Sequence, residues 1–287
     1  MIYEIKSGDL AAKINTLGAE LVSLTKGGVE YIWNADAKYW DSSAPVLFPV
    51  CGRLLNQTYL YEGKSYPMDM HGFAPKSEFA PTRVEKNRVT LTLKANEATK
   101  KEYPFDFEFV ADFDLRDELK VTFTVINTGD KLLPYMVGWH PGFNLHGEGE
   151  INAFSLKFSG GDTLDWYPLQ NGCFVRPYGE AYPAPESKYC FNEDEIYSND
   201  TLIFCGTGGK AILSSPDTER VVELSYSENL PYFCIWKETD SNARFVCLEP
   251  WSDVPAGGDV EENFESRRMS RLECGKSRDY CYSVKLV

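Results

Sequence analysis

The amino-acid sequence predicts an all-β protein, because apolar and polar residues alternate along most of its length. The clearest example is FDFEFVADFDL, in which Phe105, Phe107 and Phe109 share one face of a strand. The 17 Phe, 17 Tyr and 6 Trp residues add to this evidence, because aromatic side chains favour strands. Helical periodicity is scarce, and we predict only short helices at 35–40 and 192–198.

Neighbouring strands are predicted to pair as antiparallel hairpins. A turn at 116–118 separates the FDFEFVADFDL strand from LKVTFTVIN, which alternates again. A second hairpin runs from 79 to 93 and turns at Lys86 and Asn87. The segment GTGGK at 206–210 lacks the spacing of a phosphate-binding loop and stands between two strands. We therefore predict a hairpin turn there as well.

Length and charge limit the kinds of protein that this chain can be. Its 287 residues fit one domain spanning 1–287, because all-β sandwiches of this size bury a continuous core. The net charge of −14 disfavours contact with nucleic acid or anionic lipid. The N-terminus does not resemble a signal peptide, and no apolar run approaches the ~20 residues that cross a bilayer. We expect a cytoplasmic monomer or weak homodimer without nucleic-acid or membrane partners.

The eight cysteines are dispersed, without a CxxC pair, and we expect reduced, partly buried thiols. The sequence contains neither HExxH nor the acidic alternation of a calcium loop, so we predict no metal site and no cofactor. A serine-based triad would lack its usual nucleophile elbow. The chemistry left to consider is acid–base catalysis by histidine and carboxylate side chains.

The three histidines stand in different local contexts. His71, in MHGFAPKSEF, precedes Gly72, which permits a tight backbone, and His140, in VGWHPGFN, precedes a proline that favours an extended backbone. Both are predicted at strand or loop edges, where a structural or a functional role is open. His146 is flanked by glycines and acidic residues, and we interpret it as a solvated loop histidine outside any site.

Glu249 follows the apolar run RFVCL and precedes Pro-Trp, which predicts a carboxylate at the end of a buried strand. Burial raises the pKa of a carboxyl unless a cation or hydrogen bonds compensate, and such carboxyls serve in general acid–base catalysis. The alternative is a salt-bridged edge residue, with Arg53 as one possible partner. Arg53 emerges from LFPVCGRLLN, where its guanidinium suits a bidentate contact with oxygen.

Four motifs resemble, in order and spacing, those of the galactose mutarotase-like family, specifically its LacX-type branch of aldose 1-epimerases. These are LFPVCGRLLN, MHGFAPKSEF, VINTGDKLLPYMVGWHPGFNL and FVCLEPWSD, and the likeness covers nearly the whole chain. The resemblance implies a large antiparallel β-sandwich, the galactose mutarotase-like supersandwich, with a sugar site in a cleft on one face. It also implies a metal- and cofactor-independent isomerase that interconverts the anomers of a free hexose, with galactose and glucose as candidates.

The same resemblance implies roles for individual residues. Glu249 matches the general base that removes the proton of the anomeric hydroxyl, and His140 matches the general acid that protonates the ring oxygen. Arg53 and His71 match positions that orient sugar oxygens. Asp200, in SNDTLIF, matches more loosely an aspartate that binds sugar hydroxyls; its alternative is a turn residue that opens a strand.

Aromatic platforms are also expected, because the apolar face of a pyranose packs against rings. Trp236, in FCIWKE, and Trp251 are candidates, and core packing is the alternative for each. We expect Trp139 to support His140 rather than to contact the substrate.

Two alternatives to a free-hexose mutarotase remain open. A hexose-6-phosphate mutarotase needs a cationic pocket, but this chain reads HGFAP where many relatives read HGFAR. Pro75 thus replaces an arginine, and Lys76 is the residue that could substitute in part. A non-catalytic carbohydrate-binding or sensing domain would keep the cleft without the chemistry. The joint presence of Arg53, His71, His140 and Glu249 favours an enzyme over such a non-catalytic domain.

Overall fold

Antiparallel strands dominate the structure. The computed structural model describes residues 1–147, 149–170, 174–175, 179–199, 201–240, 242–254 and 262–287. Its strands are, in chain order, β1 (Ile2–Ser7), β2 (Leu10–Asn15), β3 (Glu20–Lys26), β4 (Val29–Glu30), β5 (Val46–Leu47), β6 (Thr58–Tyr61), β7 (Lys64–Pro67), β8 (Ala80–Val84), β9 (Arg88–Lys94), β10 (Phe107–Leu115), β11 (Leu119–Asn127), β12 (Leu133–Tyr135), β13 (Gly138–Trp139), β14 (Gly142–Asn144), β15 (Ser155–Phe158), β16 (Thr163–Trp166), β17 (Leu169–Gln170), β18 (Phe174–Val175), β19 (Glu180–Pro183), β20 (Lys188–Cys190), β21 (Thr201–Cys205), β22 (Lys210–Ser215), β23 (Thr218–Tyr226), β24 (Tyr232–Trp236), β25 (Phe245–Trp251), β26 (Glu262–Asn263), β27 (Ser270–Leu272) and β28 (Ser277–Leu286).

Helices are short. The α-helices of the described chain are α1 (Thr99–Glu102) and α2 (Glu193–Asn199), and single turns of 3₁₀-helix lie at Leu55–Gln57, Ala74–Lys76, Ile151–Ala153 and Pro185–Ser187. None of the helices in these ranges has the length and apolarity to span a membrane.

Two large sheets face each other across the core. Within the described residues, one sheet has nine strands in the order β20-β15-β22-β23-β28-β11-β10-β9-β8. The other has eight, in the order β19-β16-β21-β24-β25-β13-β5, with β14 also paired to β25. Rings from the two sheets meet: Phe158 lies 5.3 Å from Phe233, and Trp139 lies 6.4 Å from Phe123. Such interlocking of two inner faces defines a β-sandwich, so the predicted fold class is confirmed.

The alternation in β10 separates its two faces as predicted. Residues of β10 alternate between buried and partly exposed, and the buried ones are Phe107, Phe109, Ala111, Phe113 and Leu115. On the outer face, Asp112 accepts a hydrogen bond from Arg88 at 2.9 Å, and Glu108 pairs with Lys94 at 2.8 Å. The predicted hairpins β8–β9 and β10–β11 are both present.

The two helix predictions had different outcomes. The helix predicted at 192–198 is confirmed as α2, with bounds one residue later. The helix predicted at 35–40 is wrong, because these residues form a single turn. Ala35 adopts a φ of +56°, which a continuing helix does not allow, and the carbonyl of Asp36 accepts from the N–H of Trp40 at 3.0 Å.

The prediction of a hairpin turn at 206–210 is also wrong. β21 pairs with β24 in the eight-stranded sheet, whereas β22 pairs with β15 and β23 in the nine-stranded sheet. The segment therefore carries the chain from one sheet to the other. Gly206, Gly208 and Gly209 have φ values of +80°, +78° and +81°, a conformation that glycine adopts without steric cost.

Strand β25 is buried along its whole length, between β24 on one side and β13 and β14 on the other. Its alternate side chains point to opposite faces of the sheet. Leu248 belongs to the main core cluster, whereas Cys247 belongs to a separate cluster on the other face. Glu249 shares the face of Cys247 and pairs across the ladder with Cys234. This strand therefore presents polar side chains to a site outside the sandwich core.

Gly72 and Phe48 form an isolated parallel bridge. The close approach of the two backbones at this bridge can be tested by substitution of Gly72. A Cβ on Gly72, which has a φ of +76°, would lie 2.2 Å from the carbonyl oxygen of Phe48. Gly63 has a similar φ of +71° with no atom within 4 Å of its would-be Cβ. Left-handed backbone costs an alanine about 1–2 kcal/mol at either position, and crowding adds about 1–3 kcal/mol at Gly72. We expect urea denaturation to show the larger loss of unfolding free energy for Gly72→Ala than for Gly63→Ala. Equal losses would show that the backbone at Phe48 moves to accommodate the new Cβ without a further loss of unfolding free energy.

Candidate active site

His140 and Glu249 meet at the centre of the eight-stranded sheet. Nε2 of His140 lies 3.2 Å from Oε2 of Glu249. His140 follows β13, and its backbone N–H donates to the carbonyl of Pro45 at 3.0 Å. Glu249 lies on the adjacent strand β25, so the pairing of β13 with β25 brings together two residues that are distant in the sequence.

A cleft of about 550 Å³ opens beside this pair, a size typical of small-molecule sites. His140, His71 and Arg53 line it together with Trp40 and Trp236. Four residues that the sequence analysis singled out therefore share one cleft. Their assignment as catalytic or substrate-binding residues remains a prediction.

The carboxylate lies deeper than the imidazole. His140 is 8% exposed, whereas Glu249 is 1% exposed. A sugar oxygen can therefore contact Glu249 only after a side chain at the cleft moves.

Burial lowers the pKa of His140 well below its usual range, and the neighbouring His71 lowers it further. Burial therefore favours the neutral imidazole, and the protonated form of His140 needs the neighbouring carboxylate of Glu249 as its counter-ion. Its Nδ1 is buried without a hydrogen-bond partner among the described residues. At 3.2 Å, Nε2 of His140 and the carboxylate of Glu249 are close enough for one proton to pass between them.

His71 is held in a left-handed conformation, with a φ of +65°, by two hydrogen bonds to Gly52. The backbone N–H of His71 donates to the carbonyl of Gly52 at 2.9 Å, and the N–H of Gly52 donates to Nδ1 of His71 at 3.1 Å. Because Nδ1 accepts, the neutral ring carries its proton on Nε2, which can donate to a ligand oxygen. Burial and the charge of Arg53 lower the pKa of His71 to about 4.

Arg53 is exposed at the rim of the cleft, with Nη2 3.7 Å from Sδ of Met70. The ion-pair distance that the structure gives for Glu249 is the one to His140. The guanidinium of Arg53 is thus positioned to contact a ligand in the cleft.

Aromatic rings surround the imidazole of His140. Trp40 lies 5.1 Å from it and Trp236 lies 5.7 Å from it, between ring centroids. Trp40 also stacks on Phe245 at 5.5 Å. The sequence analysis missed Trp40 because it assigned this residue to a helix. The available signal was a large aromatic residue directly before the polar segment Asp-Ser-Ser, since binding residues are common on such loops.

Of the remaining residues that the sequence analysis considered, two are buried tryptophans and one lies outside the described residues. Trp251 is 4% exposed and its ring lies 5.8 Å from that of His71, so it packs beneath the cleft. Trp139 is fully buried, and its Nε1 donates to the carbonyl of Ala44 at 3.2 Å. Asp200 lies outside the described residues.

His146 lies in a loop, as predicted, but the prediction that it is solvated is wrong. This histidine is half-buried, because its ring packs edge-on against Tyr31 at 4.8 Å. It does not belong to the residues that line the cleft.

The charges along the cleft balance. Arg53 and Lys76 line it together with Asp41 and Asp69. Nζ of Lys76 lies 2.6 Å from Oδ2 of Asp69, so its positive charge is already paired.

A cysteine also lies beside the pair. Potential ligand atoms of His140, Cys247 and Glu249 all lie within 4.8 Å of one another. Burial, followed by the charge of Glu249, raises the pKa of the Cys247 thiol well above its usual range. The sequence analysis looked for metal motifs with short spacings, and it missed this group because the three side chains come from two separate segments.

The family model for aldose 1-epimerase matches residues 1–278. The chain belongs to the aldose 1-epimerase family. It is 29% identical to the protein LacX (chromosomal) of Lactococcus lactis subsp. lactis, over 96% of this chain and 97% of that protein. The family resemblance carried by the four motifs is confirmed, and it places the chain in an isomerase family.

Solved structures agree with this assignment. A galactose mutarotase related enzyme from Lactobacillus acidophilus superimposes with a TM-score of 0.92 at 31% identity, covering 100% of this chain and 97% of that one. A galactose mutarotase-like protein from Lactobacillus casei ATCC 334 also gives 0.92, at 27% identity and with 100% of both chains covered. The supersandwich that the resemblance implied is therefore the fold of this epimerase family member.

The lowered pKa of His71 predicts a pH dependence of stability. The folded state holds this pKa at about 4 against an ordinary value of 6.5, so the unfolded chain binds more protons between these values. The stabilisation is complete above pH 6.5 and is lost as the pH falls towards 4. We expect the difference in unfolding free energy between the wild type and His71→Gln to shrink over this range, measured by urea denaturation at several pH values.

Comparison with the variant is needed because other groups titrate in the same window. Asp253 has its pKa raised to about 6 by burial, which shifts stability in the opposite direction, but it is present in both proteins. A difference that stays constant with pH would mean that His71 titrates normally.

Proposed function

We propose that this protein is a mutarotase that interconverts the α and β anomers of a free hexose by acid–base ring opening and reclosure. The observation that carries this proposal is the 3.2 Å contact between His140 and Glu249 beside a cleft of about 550 Å³. Membership in the aldose 1-epimerase family supports it.

The geometry suits the proton transfers that ring opening requires. The ring oxygen and the anomeric hydroxyl oxygen are bonded to the same carbon, and opening removes a proton from the hydroxyl while adding one to the ring oxygen. A base and an acid held next to each other can serve two neighbouring oxygens in one bound geometry.

In the proposed reaction, the carboxylate of Glu249 stabilises the protonated imidazole of His140. Glu249 then accepts the proton of the anomeric hydroxyl, the bond between C1 and the ring oxygen breaks, and His140 donates its proton to that oxygen. Rotation about C1–C2 then presents the other face of the aldehyde. On reclosure Glu249 returns its proton to the carbonyl oxygen while His140 recovers its proton from the attacking hydroxyl. Both residues end in their starting protonation states, so the cycle needs no co-reactant.

Other cleft residues bind the sugar in this proposal. Nε2–H of His71 and the guanidinium of Arg53 donate to sugar oxygens. Trp40 and Trp236 pack against the apolar face of the pyranose, as aromatic rings do in small-molecule sites.

The charge balance favours a free hexose over a hexose 6-phosphate. Two cationic and two acidic side chains line the cleft, and Lys76 is already paired with Asp69 at 2.6 Å. A phosphate dianion is bound by an excess of Arg, Lys or N–H donors, often bidentate. The cleft has no such excess among its described lining residues.

Substitution of the pair tests the catalytic assignment. Glu249→Gln keeps the side-chain volume but removes the base, so we expect the catalysed rate of anomer exchange to fall on the order of 10²-fold or more. His140→Asn should behave alike. NMR exchange spectroscopy on galactose and glucose measures the rate, after subtraction of spontaneous mutarotation.

His146→Asn is the matched control, since this half-buried histidine does not line the cleft. Near wild-type exchange in Glu249→Gln would make Glu249 structural. A wild type that binds sugars without accelerating their exchange would instead favour a carbohydrate-binding domain.

The paired charge of Lys76 gives a separate test of substrate choice. We expect the wild type to have a higher kcat/KM for glucose than for glucose 6-phosphate. Asp69→Asn frees Lys76 and should raise kcat/KM for the phosphorylated sugar a few-fold, the size of an exposed ion pair. Asp117→Asn, in the exposed turn between β10 and β11, makes the same change in net charge and should leave the ratio unchanged. A wild type that prefers glucose 6-phosphate would reverse the assignment.

A further inference from the structure

Buried cysteines lie near the carboxylate of Glu249, and the proposed mutarotase mechanism gives none of them a role. Cys247 lies two residues earlier on β25 and shares its face, and Cys234 is its partner across the ladder. Burial raises the pKa of the Cys51 thiol well above its usual range, and the charges of Asp253 and Glu249 raise it further. All three cysteines are buried and free.

One of these thiols completes a set of metal ligands. The distance between Nε2 of His140 and Oε2 of Glu249 is 3.2 Å. In a tetrahedral zinc site, a nitrogen and an oxygen ligand lie roughly 3.3 Å apart and a sulfur roughly 3.5 Å from either, given the usual bond lengths. The cysteine ligand atom lies within 4.8 Å of the other two. A shift of roughly 1 Å by one side chain would therefore complete the geometry.

We propose that this site binds a thiophilic divalent cation, Zn²⁺ or Cd²⁺, through an imidazole nitrogen of His140, the thiolate of Cys247 and the carboxylate of Glu249. Imidazole, thiolate and carboxylate are the ligand types that zinc uses in proteins. The thiol releases its proton to solvent as the metal–sulfur bond forms, and a water molecule from the cleft takes the fourth position.

Binding of the ion inhibits the enzyme, because the metal occupies the electron pairs of both the acid and the base. Sugar and metal therefore exclude each other. The inhibition rests on the proposed function, whereas the binding does not.

Titration with CdCl₂ tests the site without any assay of activity, because cadmium–thiolate bonds absorb in the ultraviolet through charge transfer. We expect the wild type to show this band on saturation, and Cys247→Ser to bind Cd²⁺ at least about tenfold more weakly, the loss typical of a disturbed metal site. Cys274→Ser removes an exposed thiol and is the matched control, with wild-type affinity expected. ZnCl₂ should displace the cadmium band.

Inhibition is measured on the same proteins. Zn²⁺ should slow anomer exchange in the wild type competitively with sugar, and EDTA should restore the rate. Cys247→Ser, compared with its own uninhibited rate, should require at least about tenfold more Zn²⁺.

An unchanged cadmium affinity in Cys247→Ser would overturn the proposed site. If that variant does not fold, as judged by circular dichroism, His140→Asn replaces it, because it removes a second ligand and leaves the thiol in place. Wild-type cadmium affinity in His140→Asn would likewise overturn the proposal. A wild type that lacks mutarotase activity would refute the proposed function, yet the cadmium titration would still decide the metal site.

Discussion

The burial of β25 is the constraint on which the site depends. Its seven residues are buried because neighbouring strands flank it on both sides and a separate aromatic cluster covers its outer face. A carboxylate in such a strand loses the solvation of water and needs partners from the protein. His140 supplies one of them at 3.2 Å, held there by the chain that follows β13. The sheet thus places an acid and a base together before any substrate arrives.

Local pattern predicted several individual strands but not the sheets that they join. In β10 and β11 the alternation is strong and the connection short, so element type and pairing both follow from the sequence. At 206–210 the same kind of pattern led to a wrong pairing, because alternation shows which face of a strand is buried and not which sheet it joins. The helix prediction at 35–40 was wrong for a different reason. The positive φ of Ala35 is incompatible with a continuing helix, and the composition of this segment gave no sign of it.

Some site residues could be predicted from local motifs, whereas others depend on contacts between distant segments. His140, Glu249, Arg53 and His71 stand in motifs that are recognisable along the chain, and the structure brings all four to one cleft region. Trp40 was missed because it was assigned to a helix, whereas its place at the cleft depends on stacking against Phe245, a contact between distant segments. Other features could have been inferred: Cys247 stands two residues before Glu249 on a predicted strand, and period-two alternation places both on one face.

The parts of the cleft differ in how firmly the backbone holds them. His71 keeps a left-handed φ because two hydrogen bonds to Gly52 compensate for it, and such over-determined conformations are typical of functional sites. Glu249 lies within the hydrogen-bonded ladder of a central strand. Trp40, by contrast, comes from the connection between β4 and β5 and is held at the cleft by ring contacts. Since the carboxylate is 1% exposed, a sugar must displace a side chain to reach it, and side-chain rotation costs least where the sheets do not fix the backbone. The side of the cleft that carries His71 and Glu249 is therefore preorganised, and the side that carries Trp40 is the one that can adjust to a ligand.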